Sequence, residues 1–496
     1  MSGVVSGDSE IHTVSYDRSR VHAGIVHFGV GNFHRSHQAM YVDRLLSDPA
    51  TFDAAANWGI CGVGVLPTDM RMRDALLSQG CEYTLVERRP DGAAAARRVG
   101  AIIEYLYAPE EIETVLEQLA DPMIRIVSLT ITEGGYNVSD STGAFDATNT
   151  AVLADARPDA SPATVFGIIV AGLKRRRERG IEPFTVMSCD NIEGNGHVAR
   201  RSVVSFAQLV DPELAEWIEV SVRFPSSMVD RITPVTTDAD REWVAKEFGA
   251  DDAWPVIGEN FDQWVLEDDF ASGRPPLEDA GVQLVSDVRP YELMKLRLLN
   301  AGHQTLAFSG LLSGFRYVHE AASDPVIREL TQRYMDAEAS PTLDPVPGID
   351  LRAYKLSLLE RFTNPSIADT LERLATDTSD RIPKFVIPVI RDLRSSGNRT
   401  RIGALIVAAW ARYAEVCVQH SLPLRDRQET AVRDAVDRMR AHPSGFLANT
   451  DWFGDLSVDK EFVGDFTDAV EALRQTPDPR TAVLRIIRHG QTEPGR

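Results

Sequence analysis

The first half of the chain alternates short apolar runs with amphipathic segments, a pattern that predicts βα units. The apolar runs are GIVHFGV (24–30), WGICGVGV (58–65), CEYTLVER (81–88), IRIVSLTI (124–131) and FTVMSCD (184–190). Continuous apolar runs of this length are typical of strands that are buried on both faces of a parallel sheet. The segment PEEIETVLEQLA (109–120) predicts one of the intervening helices. The pattern therefore predicts an α/β domain built on a parallel sheet.

From about residue 290 onward the hydrophobic pattern becomes helical. The helical segments are 291–309, 324–338, 371–377, 401–420, 427–442 and 461–475. The polar stretch 272–290, which contains SGRPP and SDVRP, marks the expected seam. A chain of 496 residues is too long for one typical core, so two or at most three domains are expected. We predict an α/β domain over 1–287 and a mostly α-helical domain over 288–496.

Composition narrows the classes of partner. The formal charge of −21 makes nucleic acid and anionic membrane surfaces poor partners. The one basic run, KRRRERG (174–180), is interpreted as the last turn of a helix that ends at Gly180, where Lys and Arg complement the helix dipole. No run reaches the length of a membrane span, and the start of the chain has no apolar segment of a secretory signal. The four scattered cysteines favour a reducing compartment, so a cytoplasmic protein without structural zinc is expected.

A glycine turn follows the first predicted strand. Gly29, Val30 and Gly31 fit a tight strand-to-helix turn at which a pyrophosphate can approach the backbone. The dinucleotide fingerprint has a third glycine where this chain has His34, so the pattern also fits a glycine turn in an unrelated α/β domain. Asp69 follows the second strand, where a carboxylate can bind a ribose 2′-hydroxyl and favour NAD over NADP.

Two features of the same segment leave that preference open. Thr68 or Asp69 could simply cap the next helix. Arg71 and Arg73 are close enough in sequence to bind a 2′-phosphate.

Polar residues also follow two later strands. Glu133 lies in TEGGY after the strand 124–131, and Asn191 follows Asp190 after the strand 184–190. Ligands of open α/β sheets bind beyond the carboxyl ends of the strands, so both residues are candidates for a site. The alternative is that Gly134 and Gly135 form a turn and that Asp190 or Asn191 caps a helix.

The segment YELMKLRLLNAGHQTLAFSG (291–310) predicts an apolar helix that carries polar groups on one face. At 100° per residue, with Lys295 at zero, Glu292 falls at about 60°, His303 at about 80° and Asn300 at about 140°. Leucine is interleaved on this arc, which is unlike a solvent-facing stripe. The alternative is a surface Glu292–Lys295 pair beside a core histidine.

Lysine is scarce in this chain, with only six among 52 basic residues, so its use in an apolar helix is informative. Burial lowers the pKa of a lysine, which can then act as a general base, whereas arginine stays protonated. An amide such as Asn300 or Asn191 can stabilise a developing alkoxide, and His303 can orient the reacting oxygen. Such groups suit hydride transfer from a secondary alcohol to a nicotinamide without a metal.

Five ordered motifs resemble the polyol-specific long-chain dehydrogenases/reductases: IVHFGVGNFHRSHQAMYVDRLL, TITEGGY, CDNIEGNG, FPSSMVDRITP and YELMKLRLLNAGHQ. The resemblance spans nearly the whole chain. The later stretches HEAASDPVIREL, DPVPGIDLRAYK and LLERFTNPSIADTLERL are most similar to the branch of the family that oxidises mannitol. The resemblance implies an expanded Rossmann-type N-terminal domain, a mostly helical C-terminal domain and a site between them. It also implies metal-independent oxidation of D-mannitol to D-fructose with NAD.

The resemblance also implies roles for single residues. Lys295 is the catalytic base, Asn191 and Asn300 form a pair that stabilises the alkoxide, and His303 orients the oxygen. Asp230 and Arg373 are substrate contacts, although Asp230 could instead form an ion pair with Arg231. Glu292 and Glu133 belong to a proton path beside the lysine. The expected cofactor-binding residues are Gly29, Val30, Gly31, Asn32, Phe33, His34, Arg35 and Asp69.

One position departs from the family pattern. Relatives have Lys where this chain has Arg381, so the charge is kept but the geometry of that substrate contact changes. Lys384 is near enough in sequence to compensate. Arabinitol, sorbitol or a uronate therefore remain alternative substrates. Two further alternatives are a Schiff-base lysine at 295 and a dinucleotide-binding regulator without turnover. The expected partner is a polyol or ketose, and no oligomer is required.

Overall fold

The computed structural model describes residues 11–138, 143–158 and 160–489. The chain forms two compact units that divide after Arg289. The sequence-based boundary between residues 287 and 288 stays a prediction of where each domain begins.

Unit 1 contains all the strands of the described chain. They are β1 Ala23–Phe28, β2 Gly59–Gly64, β3 Tyr83–Arg88, β4 Ala94–Val99, β5 Ile102–Tyr107, β6 Ile126–Leu129, β7 Thr185–Ser188, β8 Ser227–Asp230, β9 Val256–Glu259, β10 Gln263–Glu267 and β11 Gln283–Val285.

Five of these strands form one parallel sheet in the order β5-β2-β1-β6-β7. Numbered along the chain within this sheet, the order is 3-2-1-4-5, which is the Rossmann order. The strand order reverses between β1 and β6, and dinucleotides bind at this switch point beyond the carboxyl ends of the strands. The predicted Rossmann-type N-terminal fold is confirmed.

The core of unit 1 lies on both faces of this sheet, because successive side chains of a strand point to opposite faces. Ile25 and Ile126 belong to one buried cluster, whereas Val26 and Val127 belong to the other. This arrangement explains why the strands are continuous apolar runs rather than alternating ones.

The prediction was incomplete for the third strand of the alternating pattern. Residues 83–88 form β3, but β3 lies in a separate sheet, antiparallel to β4 and parallel to β9. The fifth strand of the parallel sheet is β5 at Ile102–Tyr107, which the hydrophobic pattern did not single out. Glu104 interrupts the apolar run of β5, which is why the pattern missed it. A third sheet has the strand order β11-β10-β8. Its strand β8 ends at Asp230.

The α-helices of unit 1 connect these strands. They are α1 Asn32–Ser36, α2 Gln38–Ser47, α3 Phe52–Ala55, α4 Met70–Ser78, α5 Ala108–Ala120, α6 Thr132–Gly135, α7 Thr150–Asp155, α8 Val165–Glu178, α9 Asn195–Val210, α10 Pro212–Ser221 and α11 Asp238–Phe248. Short 3₁₀ turns cover Arg18–Arg20, Pro67–Asp69 and Leu277–Ala280.

The basic run at 174–180 lies at the end of α8, as predicted, and Gly180 follows with a φ of 67°. Arg175 and Arg179 form ion pairs with Glu117 of α5. Arg176 is buried and donates to the carbonyls of Leu119 and Ile124. The run is therefore part of the packing of unit 1.

In the described residues of unit 2, the helices are joined by loops, and Tyr317 and Thr370 form an isolated β-bridge. Its helices are α12 Arg289–Met294, which begins at the division, α13 Ala301–Leu312, α14 Val318–Ser323, α15 Pro325–Arg333, α16 Leu351–Phe362, α17 Leu371–Leu374, α18 Thr378–Phe385, α19 Ile387–Ser395, α20 Arg401–Gln419, α21 Glu429–Ala441, α22 Thr450–Phe453, α23 Lys460–Gln475 and α24 Pro479–His489. Lys295–Asn300 and Tyr334–Ala339 are π-helical turns. Short 3₁₀ turns cover Ser340–Thr342, Pro365–Ile367, Pro443–Ala448 and Gly454–Val458. The predicted mostly helical second domain is confirmed.

Helix α20 lies in the core of unit 2. Among the described residues it is the one helix long and apolar enough to cross a membrane, but 72% of its apolar window is buried inside the fold. Its first turn is capped by the Glu338 carboxylate, which accepts N–H bonds from Ile402 and Gly403, both at 2.7 Å. Burial raises the pKa of Glu338 to about 7.

Candidate functional site

The glycine turn lies at the switch point of the sheet. Gly29 has a φ of 92°, and a Cβ placed there would lie 2.1 Å from the carbonyl oxygen of Thr130. Only glycine fits this position, because the backbone just after β6 passes too close for a side chain. At Gly31 the nearest atom to such a Cβ is the Gly29 carbonyl oxygen at 3.8 Å. The second glycine therefore leaves an open approach to the backbone, as a dinucleotide requires.

A buried polar chain beneath the turn holds it in place. The Thr130 hydroxyl donates to the Gly29 carbonyl at 2.7 Å, and its oxygen lies 2.9 Å from His27 Nε2. His27 Nδ1 lies 2.8 Å from the Ser128 hydroxyl oxygen. Burial lowers the pKa of His27 to about 3, so the ring is neutral at physiological pH. Sequence reasoning missed His27 because a histidine inside an apolar strand has no motif around it.

His34, which replaces the third fingerprint glycine, is fully buried. Its ring stacks on His27 with centroids 3.4 Å apart, and burial lowers its pKa well below the usual value. A neutral ring stacked in the core supports the turn from below. The helix that follows the turn is short, because α1 ends at Ser36 and α2 begins after His37.

The remaining loop residues are held by the protein itself. Arg35 is fully buried and donates to the side-chain oxygen of Asn32 at 2.8 Å and to the Trp254 carbonyl. Asn32 donates to the Pro234 carbonyl at 3.1 Å, and Phe33 stacks on His37 with ring centroids 4.9 Å apart. Val30 is buried. These side chains fix the shape of the loop around Gly31.

Asp69 lies after β2, as predicted, and its Oδ2 accepts the N–H groups of Val65 and Leu66, both at 2.9 Å. Its side chain therefore closes the turn before α4 and makes no capping bond to α4. The two arginines that could bind a 2′-phosphate have other contacts. Arg73 forms ion pairs with Asp74 and Glu110, and Arg71 lies over the Trp254 ring at 5.1 Å.

The ends of β6 and β7 bring Glu133 and Asn191 into the same region of unit 1. Asp190, which precedes Asn191, accepts N–H bonds from Ile131 and Thr132, both at 2.9 Å. Glu133 is the next residue along the chain, and both Glu133 and Asn191 are exposed. Asp190 thus connects the two strand ends. Its carboxylate does not cap the next helix along the chain, α9, which follows Gly194 and has no side-chain cap.

Asp230 is the last residue of β8 and is buried. The adjacent Arg231 forms an ion pair with Glu87 at 2.6 Å and donates to the carbonyls of Ser36 and Glu259. The Arg231 guanidinium therefore connects β8 to β3 and to α1.

In unit 2, the residues 289–312 form one helical run in which α12 and α13 are joined by the π-helical turn Lys295–Asn300. A π-helix bonds residue i to residue i+5, so residues five apart lie on one face, as residues four apart do in an α-helix. Lys295 and Asn300 are such a pair. Uniform α-helical geometry was the wrong assumption here.

The π-helical turn narrows the arc of polar groups. In the π-helical turn, residues five apart are offset by about 40° around the helix axis, so Asn300 lies at about 40° when Lys295 is set at zero. His303 follows Asn300 by three residues at about 100° each, which places it at about −20°. The arc that includes Glu292 shrinks from about 140° to about 80°. π-Helical turns are often found at functional sites.

All four polar residues of this run are buried, with 6% of Glu292, 7% of Lys295, 8% of Asn300 and 9% of His303 exposed. A surface Glu292–Lys295 pair does not fit this burial. The side-chain oxygen of Asn300 accepts no hydrogen bond from the described residues. The His303 ring packs against Phe362 with centroids 4.7 Å apart.

The two predicted substrate arginines lie in neighbouring short helices of unit 2. Arg373 in α17 is exposed and forms a two-bond ion pair with Asp369 at 2.5 and 2.6 Å. Arg381 in α18 is half-buried and donates to the Leu374 carbonyl at 3.3 Å. That bond connects α18 to the end of α17. In the described ranges, no three His, Cys, Asp or Glu side chains are grouped so as to hold a metal ion.

The Rossmann-ordered sheet with a glycine turn at its switch point places unit 1 in the class of dinucleotide-binding dehydrogenase domains. The sequence profile of the mannitol dehydrogenase Rossmann domain matches residues 23–279, and that of the mannitol dehydrogenase C-terminal domain matches residues 287–474. The chain belongs to the mannitol dehydrogenase family.

Individual relatives agree with this assignment. A mannitol 2-dehydrogenase of Cereibacter sphaeroides is 44% identical over 95% of this chain and 97% of the relative. The structure of Pseudomonas fluorescens mannitol 2-dehydrogenase in a ternary complex with NAD and D-mannitol is 42% identical, with a TM-score of 0.85 over 98% of this chain and 97% of that one. A substrate-free D-sorbitol dehydrogenase is 37% identical, with a TM-score of 0.86 over 96% of this chain and 97% of that one.

Proposed function

We propose that this protein oxidises D-mannitol to D-fructose with NAD, and that Lys295 is the general base. The protein is an NAD-dependent polyol dehydrogenase; the identity of the polyol and the roles of single residues are the proposal. The observation that carries the proposal is the buried Lys295 on a π-helical turn that puts it on one face with Asn300 and His303.

The residues of unit 1 fit NAD. The open backbone at Gly31 suits the pyrophosphate, and the Rossmann switch point is where the dinucleotide lies in such sheets. The Oδ2 atom of Asp69 accepts the N–H groups that close the turn after β2. The Oδ1 atom of the same carboxylate suits a ribose 2′-hydroxyl. A 2′-phosphate is disfavoured there, because Arg73 is neutralised by two carboxylates. Bound NAD⁺ supplies the hydride acceptor.

The chemical step removes a proton and a hydride from one secondary alcohol. The Lys295 amine takes the proton of the C2 hydroxyl, and the hydride leaves C2 for the nicotinamide, so that a C=O bond forms and fructose and NADH result. Burial favours the neutral amine that this step needs. The amides of Asn191 and Asn300 donate to the oxygen as it gains negative charge, and His303 orients it.

The remaining residues serve the proton and the substrate. Glu292, one turn before Lys295, and Glu133 carry the proton onward. Asp230, Arg373 and Arg381 bind the other hydroxyl groups of the polyol. The Arg381 guanidinium is planar and forked, so it presents its donors differently from the lysine found in relatives.

The test is NADH formation at 340 nm with D-mannitol, D-sorbitol and D-arabinitol, each with NAD⁺ and NADP⁺ at mildly alkaline pH. D-Mannitol with NAD⁺ is expected to have the highest kcat/KM. D-Sorbitol is the second candidate, because a sorbitol dehydrogenase shares the fold over 96% of this chain. A higher kcat/KM with D-sorbitol or D-arabinitol than with D-mannitol would sink the proposed substrate.

Replacement of the base separates chemistry from cofactor binding. Lys295→Ala is expected to lower kcat by about 10²–10⁴-fold, because a positioned general base contributes that much. NADH binding, followed by its fluorescence, should survive. The exposed lysine variant Lys460→Ala is the matched control and should keep its activity. Loss of NADH binding in Lys295→Ala would assign the lysine to cofactor binding or folding instead of catalysis. Borohydride trapping of substrate on Lys295 would support the Schiff-base alternative.

A further inference from the structure

The carboxyl ends of β6 and β7 and the start of β8 are joined by a buried polar cluster that the reaction itself does not use. Its members, named here the buried clamp, are Tyr136, Ser188, Asp190, Asn195 and Ser227. At most 8% of any of them is exposed. Each of the three strands leads to one residue proposed above for the site: Glu133 after β6, Asn191 after β7 and Asp230 at the end of β8.

Asp190 is the centre of the buried clamp. Its Oδ1 accepts the N–H of Thr132 at 2.9 Å, and its Oδ2 accepts the N–H of Ile131 at 2.9 Å and the hydroxyl of Tyr136 at 2.7 Å. The side chain that immediately precedes Asn191 therefore holds the backbone that immediately precedes Glu133.

The segment that Asp190 holds is strained. Thr132 has a φ of 63°, in the left-handed region that a β-branched residue rarely adopts. Such a conformation persists only where the surroundings hold it. The hydrogen bond from the Thr132 N–H to Asp190 is such a restraint, and it lies one residue before Glu133.

Asn195 extends the buried clamp to the third strand. Its side-chain N–H group donates to the carbonyls of Asp190 at 2.9 Å and Ser227 at 2.8 Å, and its oxygen accepts the N–H of Ser227 at 2.9 Å. The Ser227 hydroxyl donates to the carbonyl of Ser188 at 2.7 Å. Because β8 begins at Ser227, this pair fixes the start of the strand that ends in Asp230.

We propose that Asp190 and Asn195 are positioning residues that hold the carboxyl ends of β6 and β7 and the start of β8 in register, so that Glu133, Asn191 and Asp230 keep fixed positions relative to one another. The proposal rests on the proposed function for the role of those three residues, but the restraint itself is a property of unit 1.

A carboxylate is needed at position 190 because all three groups that face it are donors. An asparagine could accept from one N–H with its oxygen, but its amide would turn a donor toward the other. Burial raises the pKa of Asp190, the three donated hydrogen bonds oppose that rise, and the nearby charge of Glu133 adds to it. The two carboxylates are thus close enough for their charges to interact.

The central experiment compares Asp190→Asn with the wild type in kcat, in the Kd for NADH and in hydrogen exchange of the amides of Ile131 and Thr132. Asp155→Asn is the matched control, because Asp155 also accepts two backbone N–H groups, from Ala163 and Thr164, and one hydroxyl. The segment that Asp155 holds carries none of the proposed site residues.

Asp190→Asn is expected to lower kcat at least tenfold, to leave the Kd for NADH within threefold and to speed exchange of both amides. The control should melt earlier but keep kcat within twofold. A kcat within twofold in Asp190→Asn, or an equal loss in the control, would overturn the proposal.

Thr132→Gly keeps the proposal testable if Asp190→Asn does not fold. Glycine adopts a φ of 63° without strain, so the segment loosens while Asp190 stays in place. A kcat lowered at least threefold with an unchanged melting temperature is expected, and an unchanged kcat would count against the proposal. If the wild type oxidises no polyol, the proposed function fails, whereas the amide exchange still decides whether Asp190 restrains the end of β6.

Discussion

The two glycines of the turn after β1 are expected to respond differently to alanine, since the protein crowds one and leaves space at the other. In Gly29→Ala the methyl group would lie 2.1 Å from the Thr130 carbonyl oxygen, at a φ of 92°. The left-handed backbone costs about 1–2 kcal/mol, and the overpacking adds about 1–3 kcal/mol. The free energy of unfolding should therefore fall by about 2–5 kcal/mol.

Gly31→Ala should leave the fold unchanged, because the nearest atom to its methyl group is 3.8 Å away. Its effect should instead be on the cofactor. If the pyrophosphate approaches the backbone at this glycine, the methyl group should raise the Kd for NADH at least tenfold, or about 1.4 kcal/mol.

The assay is thermal unfolding of both variants together with NADH titration by fluorescence. Gly92→Ala is the matched control for backbone strain alone, because Gly92 has a φ of 86° and no atom lies within 4 Å of its added Cβ. It should lose less stability than Gly29→Ala by the cost of the clash with Thr130. A Gly31→Ala variant that binds NADH like the wild type would refute the placement of the pyrophosphate. A Gly29→Ala variant as stable as Gly92→Ala would refute the close approach of the Thr130 backbone.

Two further predictions concern single carboxylates. The folded-state pKa of Glu338, about 7, lies above its ordinary 4.5. The contribution of Glu338 to the free energy of unfolding is therefore fully present below about pH 4.5 and is lost as the pH rises toward 7. By pH 8 the loss is about 3 kcal/mol. In urea titrations at pH 5–8, Glu338→Gln should reduce the dependence of the free energy of unfolding on pH. The same pH dependence in the variant and the wild type would contradict the raised pKa of Glu338. Asp69→Asn keeps one side-chain oxygen for the N–H groups of Val65 and Leu66, so the fold should survive. The ratio of kcat/KM for NAD⁺ to that for NADP⁺ should fall about tenfold, or about 1.4 kcal/mol. An unchanged ratio would exclude Asp69 from cofactor selection.

The strands whose side chains are apolar on both faces could be predicted from the sequence, and those of mixed character could not. β1, β6 and β7 are buried on both faces of the sheet and lie in mostly apolar runs, so the hydrophobic pattern located them. β5 contains Glu104, which interrupts its apolar run, although β5 belongs to the parallel sheet. β3 is more apolar but pairs with β9 in another sheet, so only the long-range pairing shows which sheet each strand joins. Local pattern indicates that a strand exists, but pairing decides which sheet it joins.

The candidate site shows the same division between local and long-range information. The scarcity of lysine and the apolar setting singled out Lys295, and its burial agrees with that interpretation. The π-helical turn was not predictable, because Lys295–Asn300 has the composition of an ordinary α-helix. Asp190 has the sequence pattern of a helix cap, and its bonds to Ile131 and Thr132 depend on two strands that are distant in the sequence.

The central claim is a direct hydride transfer from C2 of mannitol to NAD⁺, and isotopic labelling tests it most directly. The enzyme is supplied with D-mannitol that carries deuterium at C2 and at the symmetry-equivalent C5, and the reduced cofactor is analysed by mass spectrometry. The account predicts that every molecule of NADH formed carries one deuterium and that the fructose retains the other. Unlabelled NADH, with the deuterium lost to water, would contradict it.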